Sequence, residues 1–303
     1  MTERFDFNNL FVFDLANNHQ GDVDHALKII TEVGELSRQH SLKGAFKFQF
    51  RQLDSFVHSD HKESSDNKHI PRFLSTRLTA SEYKQLFDAV KSEGMLAMCT
   101  PFDEASVDLI VDMGFDLIKV ASCSADDWPL LEKIAGANLP TVFSTGGLLI
   151  EDIDNLVSFF THRGAHFAMM HCVSIYPTPH SDYNLSQIDV LLERYNGINV
   201  GWSTHETPDE TVAIQIAVAK GATMFERHVG IESGQHKLNA YSSSPKELDI
   251  WIKAWVSAQE MCGKRERDPS KVETESIDSL RRGVFAKRKI KRGEMLVQKD
   301  AYF

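Results

Sequence analysis

The residues most able to do chemistry here are two histidines, two lysines and a ring of short hydroxyls. His205 and His228 stand in the segments GWSTHE and ERHVG, each at the end of a short apolar run. If those runs are neighbouring strands, two imidazoles face one ion. Two imidazoles make an incomplete shell that leaves positions for water and substrate oxygens, as a catalytic metal needs. Mn²⁺ is the first candidate, with Mg²⁺, Co²⁺ or Zn²⁺ as alternatives. Taken singly, either histidine also reads as a core imidazole bonded to a backbone carbonyl. Glu226, two residues before His228, points the same way along the run and is a further ligand or an orienter of one.

Lys47 and Lys119 are cations inside otherwise apolar runs, where a buried charge is costly unless an anion compensates it. A phosphate or a carboxylate would serve. Ser122, Ser144, Thr145 and Ser203 close neighbouring runs and add the neutral donors that complete a phosphate site. Either lysine also suits Schiff-base chemistry, but two lysines beside two histidines favour the metal route.

The elements that must position these groups are legible as eight apolar runs of four to eight residues alternating with helical patterns. They start at Phe11, Ala45, Leu96, Leu117, Thr141, Phe167, Ile198 and Met224. That alternation means parallel βα units, and eight of them predict an α/β fold, a (β/α)₈ TIM barrel. In such a barrel the site lies at the C-terminal ends of the strands. The residues there are almost all polar: Asp14 with Asn17, Asn18 and His19; Lys47 and Gln49; Thr100 with Asp103; Lys119 with Ser122; Ser144 with Thr145; His171, Ser174 and Tyr176; Ser203 with His205; Glu226 with His228. Each alone is explained as a surface charge, a turn or a cap; the coincidence across eight runs points to function.

Helix signals fill the gaps. Ala26, Ile29, Ile30 and Val33 form one apolar stripe, and Tyr83, Leu86, Phe87 and Val90 another. Thr207-Pro208-Asp209-Glu210 and Ser244-Pro245-Lys246-Glu247 each read as an N-cap, a proline at the first helical position and a capping-box glutamate. Gly94, Gly114, Gly136 and Gly221 sit where helices should stop. The polar stretch from Gln52 to Arg77, with His58, Asp60, His61, Glu63, Asp66 and His69, is long for a βα connection and reads as a lid or a solvated excursion. The domains expected are the barrel over 1–263, a charged linker over 264–280 and a partial module over 281–303.

The bulk numbers agree with a globular enzyme. Hydrophobic residues make up 42% and charged residues 25% of the chain, enough for a core. With 33 Lys plus Arg against 43 Asp plus Glu, the net charge of -10 points away from nucleic acid as a general partner. Cys99, Cys123, Cys172 and Cys262 show no disulfide or metal spacing, which fits a reducing, cytoplasmic setting. No apolar run approaches a membrane span.

The ordered set DLANNHQGD, KFQF, CTPFD, KVAS, STGG, HCVSIYPTP, GWSTHE and ERHVG resembles the sialic acid synthase family, the N-acetylneuraminate synthases and their spore-coat polysaccharide relatives. The tail, RRGVFAKRKIKRGEM, resembles the start of the SAF (antifreeze-like) domain that members carry. The resemblance implies a metal-dependent condensation of phosphoenolpyruvate with an open-chain N-acetylhexosamine such as N-acetylmannosamine, releasing phosphate, in a homodimer. It places His205 and His228 as metal ligands and Asp14, Lys47, Lys119 and Tyr176 as catalytic residues. It places Gln49, Thr100, Ser122, Ser144, Ser174 and Ser203 around the substrates, with Gln49 and Tyr176 on the sugar side.

Four departures from the family pattern fall on the sugar or acid/base side. Asp14 stands for a glutamate, Cys123-Ser124 for Gly-Glu, Ser174 for an asparagine, and KLNAYSSSP from Lys237 for an aspartate motif. They keep two alternatives open: the same condensation on another aldose or a phosphosugar, which would call for a basic pocket near the Gln52 to Arg77 stretch, and a non-catalytic barrel that senses a ligand.

Overall fold

Side chains two residues apart on a strand share a face, and in this chain both faces of every strand are covered. The computed structural model describes residues 4–62, 67–264 and 266–302, so Glu63 and Asp66 lie outside the described residues. Eight parallel strands close on themselves in chain order: β1 Leu10–Asp14, β2 Lys43–Phe50, β3 Leu96–Pro101, β4 Leu117–Val120, β5 Thr141–Ser144, β6 Phe167–Cys172, β7 Val200–Ser203 and β8 Met224–His228. The expected TIM barrel is present.

One set of alternate residues points into the barrel. Leu10, Val12, Ala45, Met98, Leu117, Val142, Ala168, Met170 and Met224, with Phe7 below them, form a dry plug. The opposite set, including Phe11, Phe46, Phe48, Phe143, Trp202 and Phe225, packs against the helices as a larger outer core. Burial on both faces is why the strands read as continuous apolar runs.

Of the two expected capping boxes, one forms and the other does not. Ser244 does cap the helix Pro245–Cys262: its backbone N–H and hydroxyl both donate to the Glu247 carboxylate at 2.8 Å. Replacing Ser244 by Ala is expected to cost about 1 kcal/mol of stability, measured by denaturant unfolding. The Thr207 motif, in contrast, forms a turn in which Glu210 N–H donates to the Thr207 carbonyl. The helix starts later, at Val212, and its first N–H groups donate to the Glu210 carboxylate at 2.6 and 3.3 Å. Gly114 takes the left-handed conformation (φ 80°) that stops the helix Glu104–Met113. Gly136 does not, because it is the last residue of the helix Trp128–Gly136, and Asn138 (φ 54°) makes the left-handed step instead.

The Gln52 to Arg77 stretch carries the helical turns Leu53–Phe56, Ser59–His61 and His69–Ser75. Its last part lies against the barrel mouth, where Phe73 covers Arg51 and the Thr76 hydroxyl donates to Asn17 Oδ1 at 3.4 Å.

The chain divides into two units, Met1–Cys262 and Gly263–Phe303. Within the second, the stretch expected to be a linker contains a helix, Lys271–Leu280, capped by Ser270, whose hydroxyl accepts from Glu273 N–H. Phe285–Ala286 pairs antiparallel with Ala301–Tyr302, and Arg288 holds Asp300 at 2.7 Å.

Candidate active site

Two residues further along each strand, the inward positions change from apolar to polar or ionisable. Val12 is followed on its face by Asp14, Ala45 by Lys47, Met98 by Thr100, Leu117 by Lys119, Val142 by Ser144 and Met224 by Glu226, with Ser203 entering from β7. Strand register sets them level: Asp14 pairs with Lys47 on one side and with His228 on the other, and Ser203 pairs with Glu226.

The centre of this layer is Glu226. Lys47 Nζ lies 3.0 Å from Glu226 Oε1 and 3.1 Å from Asp14 Oδ2, and Lys119 Nζ donates to Glu226 Oε2 at 2.8 Å. The Ser203 hydroxyl donates to the same carboxylate at 3.3 Å. The lysines are 4% and 2% exposed, so the anion expected to compensate them is supplied first by the protein itself. Burial alone would raise the Glu226 carboxyl, but the Lys119 and Lys47 ammonium groups outweigh it and hold the group ionised. Lys47 likewise stays protonated because Asp14 and Glu226 override its burial, whereas Lys119, buried against Glu226 alone and near Lys47, is pushed down.

His205 and His228 sit side by side, ring centres 5.2 Å apart. His205 Nδ1 is engaged with the Val173 carbonyl at 2.7 Å, which fixes its ring and leaves Nε2 free. His228 Nδ1 has no hydrogen-bond partner and stands 3.5 Å from Asp14 Oδ2. Burial lowers both imidazoles, His205 to about 3 with His228 adding to the effect. Both are therefore neutral, the form that binds a metal. Among the described residues no group of three or more His, Cys, Asp or Glu side chains forms a metal cage. Glu226 is committed to the lysines and is not arranged as a third ligand. The donor set fits an open two-imidazole seat whose other positions would go to water or substrate oxygens.

The remaining candidates fall around this centre. Thr100 Oγ1 and Ser144 Oγ are buried without a protein partner. The Ser122 hydroxyl accepts from Gly146 N–H at 2.9 Å, and the Ser174 hydroxyl lies over the same glycine. Ser122, Cys123, Gly146, Gly147 and Ser174 line a cleft there. The Gln49 amide donates to Asp14 Oδ2 at 3.5 Å. Tyr176 is half exposed at the rim, its ring 4.2 Å from that of His205, and burial pushes its hydroxyl up to about 12.

Other strand-end residues are elsewhere, among them Thr145, whose hydroxyl donates to the Met170 carbonyl at 3.3 Å. His171 occupies the outward face of β6, bonded to the Tyr183 carbonyl and packed on Trp202. Asp103 caps the helix after β3 through Ser106 N–H. The Asn18 amide donates to the Val229 carbonyl and to Ser242 Oγ, tying the first loop to the last. Tyr241, not among the residues expected at the site, has its ring 5.1 Å from that of His228 and 5.2 Å from that of Tyr176; its place in the altered KLNAYSSSP segment is the signal that points to it. Arg51, just after β2, lies with its guanidinium over the rings of Phe102 and Phe73.

A closed (β/α)₈ barrel with an ionisable layer and a pair of neutral imidazoles at its mouth defines a TIM-barrel enzyme. Comparison with known proteins narrows the class. The chain belongs to the NeuB family, whose model matches residues 41–267. It is similar to a crystal structure from Chromobacterium violaceum provisionally assigned as spore coat polysaccharide biosynthesis protein E, with 45% identity, a TM-score of 0.94 and coverage of 97% of this chain and 88% of that one. It is 32% identical to the N-acetylneuraminate-9-phosphate synthase of Drosophila melanogaster over 78% of this chain and 64% of that protein. It is 27% identical to the N,N'-diacetyllegionaminic acid synthase of Campylobacter jejuni over 94% of this chain and 87% of that one. No helix among the described residues is long and apolar enough to cross a membrane.

Proposed function

We propose that this chain condenses phosphoenolpyruvate with an open-chain N-acetylhexosamine to form a nonulosonic acid and inorganic phosphate. The observation that carries the reading is the pair of ammonium groups, Lys47 and Lys119, meeting on Glu226 beside two neutral imidazoles. The names of the relatives, which include synthases of N-acetylneuraminate 9-phosphate and of a diacetylated legionaminic acid, support it.

Each ammonium has three donors; Lys119 directs one at Glu226 and Lys47 faces both Asp14 and Glu226, which leaves about two donors on Lys119 and one on Lys47 for the carboxylate and phosphate of the enol. The partnerless hydroxyls of Thr100 and Ser144 supply neutral donors to the same anion. Fixing the donor in this way sets its C3 against the aldehyde carbon and removes much of the entropic cost of the encounter. The C3–C1 bond forms as water adds at C2, and phosphate leaves from C2. A divalent cation, Mn²⁺ in the first instance, held by His205 and His228 would polarise the aldehyde oxygen. Asp14, between Lys47, His228 and Gln49, is placed to exchange a proton with that oxygen, and Tyr176 and Gln49 face the sugar.

The test is release of inorganic phosphate from phosphoenolpyruvate with Mn²⁺ and a series of aldoses. Turnover should require an aldose. Ser174→Asn, at the rim of the cleft, should change the ranking of sugars by roughly tenfold, about the worth of one hydrogen bond, while leaving the affinity for phosphoenolpyruvate near that of the unaltered protein. An absence of turnover with every sugar, alongside retained metal binding, would favour the ligand-sensing alternative.

A further inference from the structure

The ladder between β7 and β8 stops short of the imidazoles. Its last residue pair is Ser203 with Glu226, and the last backbone bond between the two strands runs from Thr204 N–H to the Glu226 carbonyl at 3.1 Å. His205 and His228 each lie two residues beyond that pair. Among the described residues no backbone hydrogen bond joins the strands past Thr204, so sheet pairing does not fix how far apart the two rings stand. Other contacts must keep their centres at 5.2 Å.

Adjacent residues of a strand face opposite ways, and behind the imidazoles lies a second ionisable pair. Arg227 precedes His228 on β8, faces the helices, where its guanidinium packs over Trp251, and meets Glu206, the residue after His205. Both side chains are completely buried. Arg227 is a three-way tie: Nε donates to Ser243 Oγ at 2.7 Å, Nη2 donates to the Thr207 carbonyl at 2.9 Å, and Nη1 stands 3.6 Å from Glu206 Oε1. Ser243 in turn donates its N–H to the His228 carbonyl at 2.9 Å. One guanidinium thus grips the two residues that follow His205 and, through Ser243, the backbone of His228. It spans the two strand ends where the ladder does not.

The contact with Glu206 is a poor source of stability. Neither Glu206 oxygen makes a hydrogen bond, nor does Arg227 Nη1, and a buried pair without such bonds recovers little of the cost of leaving water. What it supplies is position, since each member is one residue from an imidazole and both are locked in the outer core. We propose that Glu206 and Arg227 are positioning residues that set the separation of the His205 and His228 rings, and through it the affinity of that seat for a divalent cation. The inference rests on the two-imidazole seat described above and adds to it the groups that hold its width.

The experiment titrates Co²⁺ into the metal-free protein and follows both its dissociation constant and its visible absorption, which reports ligand geometry. It compares the unaltered chain with Glu206→Gln, which keeps the shape but not the charge, and Arg227→Lys, which keeps the charge but not the fork, at a temperature where thermal melts show each to be folded. Glu206→Asp, with its charge set one methylene further back, guards against loss of the fold in the other two. Affinity for Co²⁺ should fall by about 10- to 100-fold in Glu206→Gln and Arg227→Lys, with shifted absorption bands, and by a smaller factor in Glu206→Asp. Affinity for phosphoenolpyruvate, which depends on Lys47 and Lys119, should stay near that of the unaltered chain. Variants that bind Co²⁺ with the original affinity and spectrum would overturn the inference even if they melt earlier, because that is the behaviour of a purely structural pair. Co²⁺ binding that survives His228→Ala unchanged would sink the seat itself, and the inference with it.

Discussion

Glu226→Gln is expected to destabilise the barrel by about 3–5 kcal/mol, the cost of leaving buried charges without their partner, and to lower the melting temperature by on the order of 10 °C. The reason is local. The amide keeps the shape of the carboxylate but removes the single negative charge that Lys119 relies on and one of the two that Lys47 relies on. Lys119, with burial already pushing it down, should lose its proton first, and with it the attraction for an anionic enol. Activity should therefore fall together with phosphoenolpyruvate affinity. Binding of phosphoenolpyruvate to the variant at low micromolar to millimolar concentrations, followed by fluorescence or calorimetry, checks the second part, and a thermal melt checks the first. An unchanged melting temperature would mean that the two ammonium groups do not depend on Glu226.

His228→Ala should abolish turnover and metal retention together while sparing the fold. Lewis-acid assistance supplies several kcal/mol of transition-state stabilisation, so the loss should exceed about 10³-fold. The ring makes no hydrogen bond through Nδ1 and sits at the top of β8 above the plug, so its removal should cost little stability. Metal content after dialysis, measured by mass spectrometry, and phosphate release are the two readouts. A variant that keeps full turnover would dismiss the two-imidazole seat. A variant that loses turnover but still retains one equivalent of metal would place the metal elsewhere. His205→Ala is the companion, and the equivalence of the two is itself informative because His205 alone is anchored to a carbonyl.

The eight strands were legible because each is buried on both faces and so appears as an unbroken apolar run, and the polar residues that end those runs were legible because nothing in a core requires them. What was not legible follows from parity and closure. His171 and Cys172 are adjacent in sequence, yet one faces the helices and the other the barrel, and no run of apolar letters says which. The counter-ion of the lysines was open to several readings because Glu226 meets them only when the sheet closes. Thr207 looked like a cap because its spacing to Glu210 is that of a capping box; in the structure Arg227 donates to the Thr207 carbonyl at 2.9 Å, and the turn this stabilises delays the helix to Val212. Arg51 was invisible for another reason. Its guanidinium is set by two aromatic rings, Phe102 just after β3 and Phe73 from the stretch after β2, which no local pattern joins.

The level pairing of β1 with β8 also dictates when the site can come into being. Glu226 lies 179 residues beyond Lys47 and 107 beyond Lys119, on the last stave to be synthesised. A nascent chain that has emerged through His205 holds both ammonium groups, Asp14 and one imidazole but neither Glu226 nor the second ring. Until the final stave docks against the first, Lys119 has no carboxylate partner and is better solvated than buried. Completion of this charged layer and closure of the cylinder thus depend on the same strand.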